Sequence, residues 1–169
     1  MKILRKFYPK KYKESTYVID FKKYYEKGFR GILFDVDNTL VPHGAPADKR
    51  AIELFENLRK IGFKTCLISN NKEPRVKSFA DVVESDYIYN AHKPSKKSYM
   101  KAFDIMNTDK KHTMFVGDQI FTDVFGANRV GMYTILVKPI HPKEEIQIVL
   151  KRYLEKIVLK SYEKDKKKM

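Results

Sequence analysis

Five short apolar runs, separated by longer stretches with helical periodicity, organise the hydrophobic and polar positions of this chain. Each run is five or six residues long and is bounded by polar or turn-forming residues, which is typical of buried β-strands. The runs are GILFDV (31–36), KTCLIS (64–69), DYIYN (86–90), TMFVGD (113–118) and YTILVK (133–138). We therefore predict five strands.

The stretches between these runs repeat apolar residues every three or four positions, which predicts amphipathic helices. In 46–61 the apolar side chains share one face and Gly62 ends the pattern. That face consists of Ile52, Leu54, Phe55, Leu58 and Ile61. Further helices are predicted over 73–80, 95–107 and 121–130. This alternation favours a three-layer α/β, Rossmann-like fold with a mostly parallel, five-stranded sheet and helices on both faces.

A further amphipathic helix is predicted near the C-terminus. It begins after Pro142 and has Glu144 and Glu145 in its first turn. Its apolar stripe consists of Ile146, Val149, Leu150, Tyr153, Leu154, Ile157 and Val158. Such a stripe packs on the sheet of its own domain or docks on a membrane or a partner. The sequence leaves these alternatives open.

The length of the chain, 169 residues, suits one domain with a full hydrophobic core. We divide it into a basic, aromatic N-terminal segment (1–30), an α/β core (31–140) and a C-terminal segment (141–169) of the same domain. No apolar run approaches the roughly 20 residues that span a bilayer, and the N-terminus breaks at Pro9 before a signal-peptide core forms. We expect a cytoplasmic protein.

Several functional classes are excluded by missing motifs. The chain contains a single cysteine, so an internal disulfide and a thiolate metal cage are excluded. It has no GxxxxGK[ST] motif and no GxGxxG after a strand, which argues against a Walker-type NTPase and a dinucleotide-binding protein. It has neither HExxH nor CxxC, which argues against a zinc site.

The charge of the chain is concentrated at its two ends. The formal net charge is +14. Residues 1–30 hold ten Lys and Arg against three acids, and residues 141–169 hold nine against five. The N-terminal segment also interleaves tyrosine and phenylalanine with its lysines. These ends predict an anionic partner, either a membrane surface or a nucleic acid.

Polar side chains stand where the predicted strands end. They are Asp35 and Asp37 at the first strand, Ser69 at the second, Lys93 before a helix, and Asp118 and Asp123 after the fourth strand. Because ligands bind beyond the carboxyl ends of parallel strands, we expect these groups in one crevice. Clustered carboxylates require a cation, and oxygen ligands suit Mg²⁺. A lysine and a hydroxyl beside that cation suit phosphoryl oxygens, so the predicted chemistry is phosphoryl transfer.

These residues resemble the four motifs of the haloacid dehalogenase (HAD) superfamily of phosphatases. The motifs occur in order as DVDNT, Ser69 in ISN, Lys93 in KPS, and GDQIFTD, and the resemblance covers roughly residues 30 to 138. The segments FDVDNTLV, ISNN and GDQIFTDVFGAN resemble the YqeG-type branch, subfamily IIIA. That branch is related to phosphatases that act on phosphatidylglycerophosphate.

The resemblance implies a role for each motif residue. Asp35 matches the nucleophile that becomes an aspartyl phosphate, and Asp37 matches the general acid and base. Lys93 matches the cation that neutralises the nucleophile and the phosphate. The implied phosphate-binding set is Thr39, Ser69, Asn70 and Lys93, and the implied Mg²⁺ ligands are Asp35, Asp37 through its backbone carbonyl, Asp118 and Asp123. Asp123 either completes this shell or orients Lys93.

The spacing of the motifs leaves no room for a cap domain, which needs about 50 residues or more. An open site accepts a phosphate carried on something large. With the basic ends, the resemblance favours phosphatidylglycerophosphate at a membrane surface, dephosphorylated by a Mg²⁺-dependent, peripheral enzyme. Two alternatives stay open: a phosphatase of a nucleotide, phosphoprotein or RNA end, and a non-catalytic nucleic-acid-binding protein.

Overall fold

The computed structural model describes residues 2–141 and 146–169, and six parallel strands form the sheet at its centre. The strands are β1 (Lys11–Lys13), β2 (Gly31–Phe34), β3 (Lys64–Ile68), β4 (Asp86–Ile88), β5 (Thr113–Gly117) and β6 (Tyr133–Val137). Their order across the sheet is β1-β6-β5-β2-β3-β4. The parallel sheet agrees with the predicted fold class.

Helices cover both faces of this sheet. They are α1 (Phe21–Glu26), α2 (Lys49–Ile61), α3 (Glu73–Val83), α4 (Lys96–Met106), α5 (Phe125–Arg129) and α6 (Ile146–Lys166). Side chains of α1, α2 and α3 pack on the face that carries Ile32 and Phe34 of β2. Side chains of α4 and α5 pack on the opposite face, with Leu33. The three-layer α/β architecture is therefore confirmed.

The predicted number of strands was wrong by one. The sixth strand, β1, lies in the basic N-terminal segment and pairs in parallel with β6 at an edge of the sheet. Of its three residues only Tyr12 is partly buried. A short edge strand flanked by exposed lysines has no apolar run, because its pairing depends on backbone hydrogen bonds rather than on buried side chains.

Local signals account for the ends of α2. The predicted helix over 46–61 begins at Lys49, because the Asp48 carboxylate accepts a hydrogen bond from the backbone N–H of Ala51 at 2.8 Å and caps the first turn. Gly62 ends it with a φ of 118°, a left-handed conformation that side chains with a Cβ disfavour. The predicted helix over 121–130 is divided into a π-helical turn, Ile120–Val124, followed by α5.

The carboxyl edge of the sheet remains open. Residues 35–48 connect β2 to α2, and residues 69–72 connect β3 to α3. Neither connection is long enough to hold a folded cap domain. Within the described residues, the groups at this edge are therefore reached without passing beneath a cap.

The two basic ends of the chain meet on one side of the molecule. The Tyr8 hydroxyl lies 2.7 Å from Ser161 Oγ and donates to Asp165 Oδ2 at 3.1 Å, while Arg5 Nε lies 3.6 Å from Asp165. The predicted first turn with Glu144 and Glu145, and the side chain of Ile146, lie outside the described residues. Over the ranges that the structure covers, no helix is both long and apolar enough to cross a bilayer.

Candidate active site

The central strands β2 and β5 bring the first two carboxylates together. Phe34 of β2 pairs with Val116 of β5, and the backbone N–H of Asp35 donates to the carbonyl of Val116 at 3.0 Å. Asp35 directly follows β2 and Asp118 directly follows β5. Because the strands are parallel and in register, both acids lie at the same edge of the sheet.

Five predicted site residues form one buried cluster. One carboxylate oxygen from each of Asp35, Asp118 and Asp123 lies within 4.8 Å of the others. The Lys93 ammonium donates to Asp35 Oδ1 at 2.8 Å and to Asp123 Oδ1 at 2.7 Å. The Thr39 hydroxyl lies within hydrogen-bonding distance of Asp35 Oδ2 (3.1 Å) and Asp118 Oδ1 (3.0 Å). Four of the six strand-end groups, Asp35, Lys93, Asp118 and Asp123, therefore lie together, joined by Thr39 of the implied phosphate-binding set.

Helix α6 adds two residues that the motifs did not identify. Arg152 donates to the backbone carbonyl of Asp118, and its second amino group lies 2.5 Å from Asp118 Oδ2. Glu155 is buried, accepts a hydrogen bond from the backbone N–H of Ile120 at 2.8 Å and lies 3.1 Å from Arg152. Both residues stand on the polar side of an amphipathic pattern, and no local feature of the sequence marks them as site residues.

Burial controls the ionisation of this cluster. Loss of water raises the pKa of Asp35 to about 7, with Lys93 opposing the shift and Asp118 adding to it. Burial likewise raises the pKa of both Asp118 and Asp123, and each is raised further by the charge of a neighbouring carboxylate. Burial alone would lower the pKa of Lys93, but Asp123 and Asp35 outweigh it and raise that pKa, so the lysine stays charged.

A divalent cation fits this set of residues. The three carboxylates are opposed by Lys93 and Arg152, so the fully ionised cluster keeps a net negative charge even before Glu155 is counted. All the available ligand atoms are oxygens, the donor type that Mg²⁺ prefers. Burial raises the pKa of Asp35 although the Lys93 ammonium opposes the shift, so Lys93 does not fully offset the cost of burying this carboxylate. An added cation would complete that compensation.

Asp37 lies apart from the cluster and has other partners. Its carboxylate accepts hydrogen bonds from the Gly44 N–H at 2.7 Å, Asn71 Nδ2 at 2.7 Å and an Arg75 amino group at 2.9 Å. Partial burial favours the protonated acid, but the hydrogen bonds from Gly44 and Arg75 and the charges of Arg75 and His43 prevail and lower the pKa of Asp37. Asp35 and Asp37 are thus two residues apart in sequence yet differ in ionisation.

The remaining predicted phosphate-binding residues hold the loops at this edge. Ser69 Oγ accepts a hydrogen bond from the Asn71 N–H at 3.0 Å. Asn70 Oδ1 accepts from the Lys93 N–H at 2.7 Å, so the side chain of Asn70 positions the segment that carries the lysine. Asn38, the residue before Thr39, adopts a φ of 61°, a conformation that asparagine tolerates better than most residues. In this structure, Ser69 and Asn70 support the site through the backbone.

Gly117 allows Asp123 to reach the cluster. A Cβ at position 117 would lie 2.6 Å from Asp123 Oδ2, closer than side-chain contacts permit. Without a side chain there, Asp123 Oδ2 accepts hydrogen bonds from the backbone N–H groups of Asp118 (3.2 Å) and Gln119 (3.1 Å). With its other oxygen on Lys93, Asp123 uses both oxygens within the protein, which favours an orienting role for this carboxylate.

Comparisons with known proteins agree with this geometry. Residues 90–146 match a family model described as HAD-hydrolase-like. The "Probable phosphatase YqeG" of Bacillus subtilis (strain 168) is 37% identical over 159 residues, which cover 93% of this chain and 92% of that protein. Phosphatidylglycerophosphate phosphatase 1, chloroplastic/mitochondrial, of Arabidopsis thaliana is 28% identical over 158 residues, 85% of this chain and 44% of that protein.

The solved structures agree in fold. A protein from Vibrio cholerae superposes with a TM-score of 0.56 at 14% identity, over 76% of this chain and 78% of that one. At this identity the likeness concerns the fold alone.

The fold, the carboxylate cluster and the similarity to phosphatases define a HAD-type phosphatase, a phosphoric monoester hydrolase. Within that class the chain belongs to the YqeG family, to whose Bacillus subtilis member it is similar over nearly its whole length.

Proposed function

We propose that the protein is a Mg²⁺-dependent phosphatase that works through an aspartyl phosphate on Asp35 and removes the terminal phosphate of phosphatidylglycerophosphate at a membrane surface. The observation that carries the chemistry is the position of the Asp35 carboxylate, which is buried between the Lys93 ammonium and the Thr39 hydroxyl at the open edge of the sheet. A carboxylate with these neighbours can attack phosphorus while its surroundings accept the charge of the phosphoryl oxygens.

The first step transfers the phosphoryl group to the protein. An Asp35 oxygen forms a bond to phosphorus as the bond between phosphorus and the ester oxygen breaks. Asp37 gives a proton to the departing alkoxide. Since the Gly44 N–H and Arg75 hold Asp37 as a carboxylate in the resting site, loss of the Arg75 contact would raise its pKa for this step.

The second step releases phosphate. Asp37, now a carboxylate, takes a proton from a water molecule whose oxygen attacks phosphorus, and the bond between phosphorus and Asp35 breaks. Lys93 neutralises charge on Asp35 and on the phosphoryl oxygens throughout, and Asp123 and Asn70 keep the lysine in place. Mg²⁺ bound by Asp35, Asp118 and the backbone carbonyl of Asp37 would supply further neutralisation of the transferred group.

The proposed substrate rests on three observations. The site has no cap among the described residues, so it is open to a phosphate carried on a large molecule. The ends of the chain are basic, which favours an anionic surface. A relative with 28% identity is named for action on phosphatidylglycerophosphate. Together these favour the lipid over soluble phosphate esters.

The test is phosphate release from phosphatidylglycerophosphate in detergent mixed micelles, with and without Mg²⁺, beside the Asp35→Asn variant. Rapid release that requires both Mg²⁺ and Asp35 would support the whole proposal. Release from p-nitrophenyl phosphate but not from the lipid would overturn the substrate and leave the phosphatase chemistry. Equal activity of Asp35→Asn would overturn the nucleophile.

A further inference from the structure

Helix α6 turns its apolar side chains toward solvent. Five large apolar residues on one side of the helix each expose between 48% and 70% of their surface. We call them the outer stripe: Val149, Leu150, Tyr153, Leu154 and Ile157. They make up most of the apolar stripe that the sequence predicts for this helix. An amphipathic helix that served only to complete the core would bury this side.

The opposite side of α6 explains this orientation. Arg152 and Glu155 face the carboxyl edge of the sheet, where they bind Asp118 and the backbone N–H of Ile120. Val158, on the same side of the helix as these two residues, is 3% exposed and packs in the apolar cluster near the N-terminal segment. These contacts hold the helix by its polar side and leave the outer stripe without a place in the core.

The charges around the outer stripe indicate what it binds. At 100° per residue, Lys156, Lys160 and Lys164 share the solvent side of α6 with the stripe, and all three are exposed. Of the acids among the described residues of the helix, Glu155 is buried, Asp165 is engaged by Arg5 and Tyr8, and Glu163 is exposed, so one exposed acid stands against these three lysines. An exposed apolar strip joined to lysines matches a surface that offers both hydrocarbon and negative charge.

Other occupants match these features less well. A second copy of the chain, paired face to face through the stripe, would bring the lysines of two α6 helices together and gain repulsion. The phosphates of a nucleic acid would bind the lysines, but a nucleic acid offers little apolar surface to pack on the aliphatic side chains of Val149, Leu150, Leu154 and Ile157. An anionic bilayer uses both kinds of side chain.

We propose that the outer stripe and the lysines beside it dock on an anionic membrane surface. This inference rests on the proposed function, because docking on a membrane serves catalysis when the phosphate of the substrate is carried on a lipid. An α-helix with its side chains is about 10 Å across, so the stripe lies roughly that far from Asp118 on the other side of α6. Docking by this face would therefore bring the membrane surface to the edge of the active site.

The first experiment measures sedimentation with vesicles of dioleoylphosphatidylglycerol, which carry negative charge but no phosphomonoester. We expect the native chain to bind them at low salt and to bind vesicles of dioleoylphosphatidylcholine much more weakly. The double variant Leu150→Gln/Leu154→Gln is expected to lose at least about tenfold in vesicle affinity. The matched control is Val82→Gln/Met100→Gln, which changes two exposed apolar residues on α3 and α4 and is expected to bind like the native chain.

The second experiment separates docking from catalysis. All variants are assayed on p-nitrophenyl phosphate, which needs no membrane, and we expect equal rates because Leu150 and Leu154 are exposed on the side of α6 that faces away from Asp118. On phosphatidylglycerophosphate in vesicles, the stripe variant is expected to lose activity in parallel with binding. If the native chain binds vesicles but never hydrolyses the lipid, the proposed substrate is wrong and the docking surface stands.

Three outcomes would overturn the docking surface. One is the absence of native binding to anionic vesicles at low salt. Another is vesicle binding that the stripe variant retains in full. The last is a dimer, detected by sedimentation equilibrium, or a complex with single-stranded RNA that Leu150→Gln/Leu154→Gln abolishes while vesicle binding persists.

Discussion

The buried cluster around Asp35 and the helix α6 both place charged side chains inside the molecule, but they depend on different partners. In the cluster, three carboxylates share the Lys93 ammonium and the Thr39 hydroxyl, and every member lies in or beside a strand-end motif. In α6, Arg152 and Glu155 reach the same edge from a helix whose amphipathic pattern left open whether its apolar stripe faces the sheet or an outside partner.

This difference shows which interaction decides the orientation of each region. Around β2, burial of the apolar side chains and placement of the acids require the same arrangement, because the strand buries its side chains and the carboxylates follow directly at its end. In α6 the apolar stripe and the polar side chains Arg152 and Glu155 lie on opposite sides of the helix, and the polar side faces the sheet. A buried Asp118 without a partner would be costly, whereas apolar side chains left in water are common on protein surfaces. The polar side of α6 therefore faces inward.

The largest effect is expected from Lys93→Met, which removes the cation that two buried carboxylates share. Leaving Asp35 and Asp123 uncompensated should lower the free energy of unfolding by about 3–5 kcal/mol and abolish turnover. Chemical denaturation and p-nitrophenyl phosphate hydrolysis measure the two effects. Lys97→Met on the exposed side of α4 is the control and should change stability by less than about 0.5 kcal/mol. A stable Lys93→Met variant would mean that the cluster is less dependent on its lysine than its geometry indicates.

Asp37→Asn tests the other carboxylate of the DVDNT motif. We expect the rate on an alkyl phosphate to fall about 10²- to 10⁴-fold, because the departing alkoxide then lacks its proton donor. The first step with p-nitrophenyl phosphate should suffer less, since p-nitrophenolate leaves without a proton, and single-turnover kinetics isolate that step. Equal losses of the first step on both substrates would contradict the role of Asp37 as general acid.

Arg152→Ala probes the contact between the two regions. Removing the guanidinium leaves Asp118 short of a partner, and we expect a loss of about 1–3 kcal/mol in unfolding free energy in the presence of EDTA. Because an added cation can take over the neutralisation of Asp118, the rise in melting temperature on adding Mg²⁺ should be larger for the variant than for the native chain. An unchanged or smaller rise would argue that Mg²⁺ does not bind beside Asp118.

The pH dependence of stability tests the electrostatics of the buried cluster around Asp35. Burial raises the folded-state pKa of Asp35 from 3.8 to about 7, so between these values the folded chain holds a proton that the unfolded chain releases. Without Mg²⁺, stability should therefore be greater below this window and fall as pH rises from about 4 through about 7. A change of about 1 kcal/mol would shift the melting temperature by a few degrees. Asp35→Asn should flatten the profile, and a native profile that rises with pH would contradict the shift.

The smallest effects distinguish the two sides of α6. Val158→Ala removes buried methyl groups and should cost about 1–2 kcal/mol, while Leu154→Ala on the outer stripe should cost less than about 0.5 kcal/mol beyond any change in helix propensity. Thermal or urea unfolding measures both. A large cost at Leu154 with none at Val158 would reverse the orientation of the helix and remove the basis of the docking surface.

Local patterns of residues in the sequence were sufficient to predict most elements of the α/β core. Apolar runs marked five of the six strands, Gly62 marked the end of α2, and strand ends marked the acids that meet with Lys93. These features share one cause: each depends on a residue's own conformational preference or on its place in a buried strand. Strand β1 escaped prediction because an exposed edge strand of three residues carries neither signal.

The sequence by itself determined the parallel α/β fold and the residues that can carry phosphoryl-transfer chemistry, because strand burial and strand-end carboxylates are local features. Only the tertiary structure decided that Asp37 is held by Arg75 and Asn71 rather than by the cluster, and that Arg152 reaches Asp118 from 34 positions away. It also decided that α6 keeps its apolar side in solvent. Each of these outcomes depends on the partners that distant segments bring to a buried charge. In a region of low dielectric, an unpaired charge costs more free energy than apolar side chains exposed on a helix, so the contacts of the charge decide the orientation.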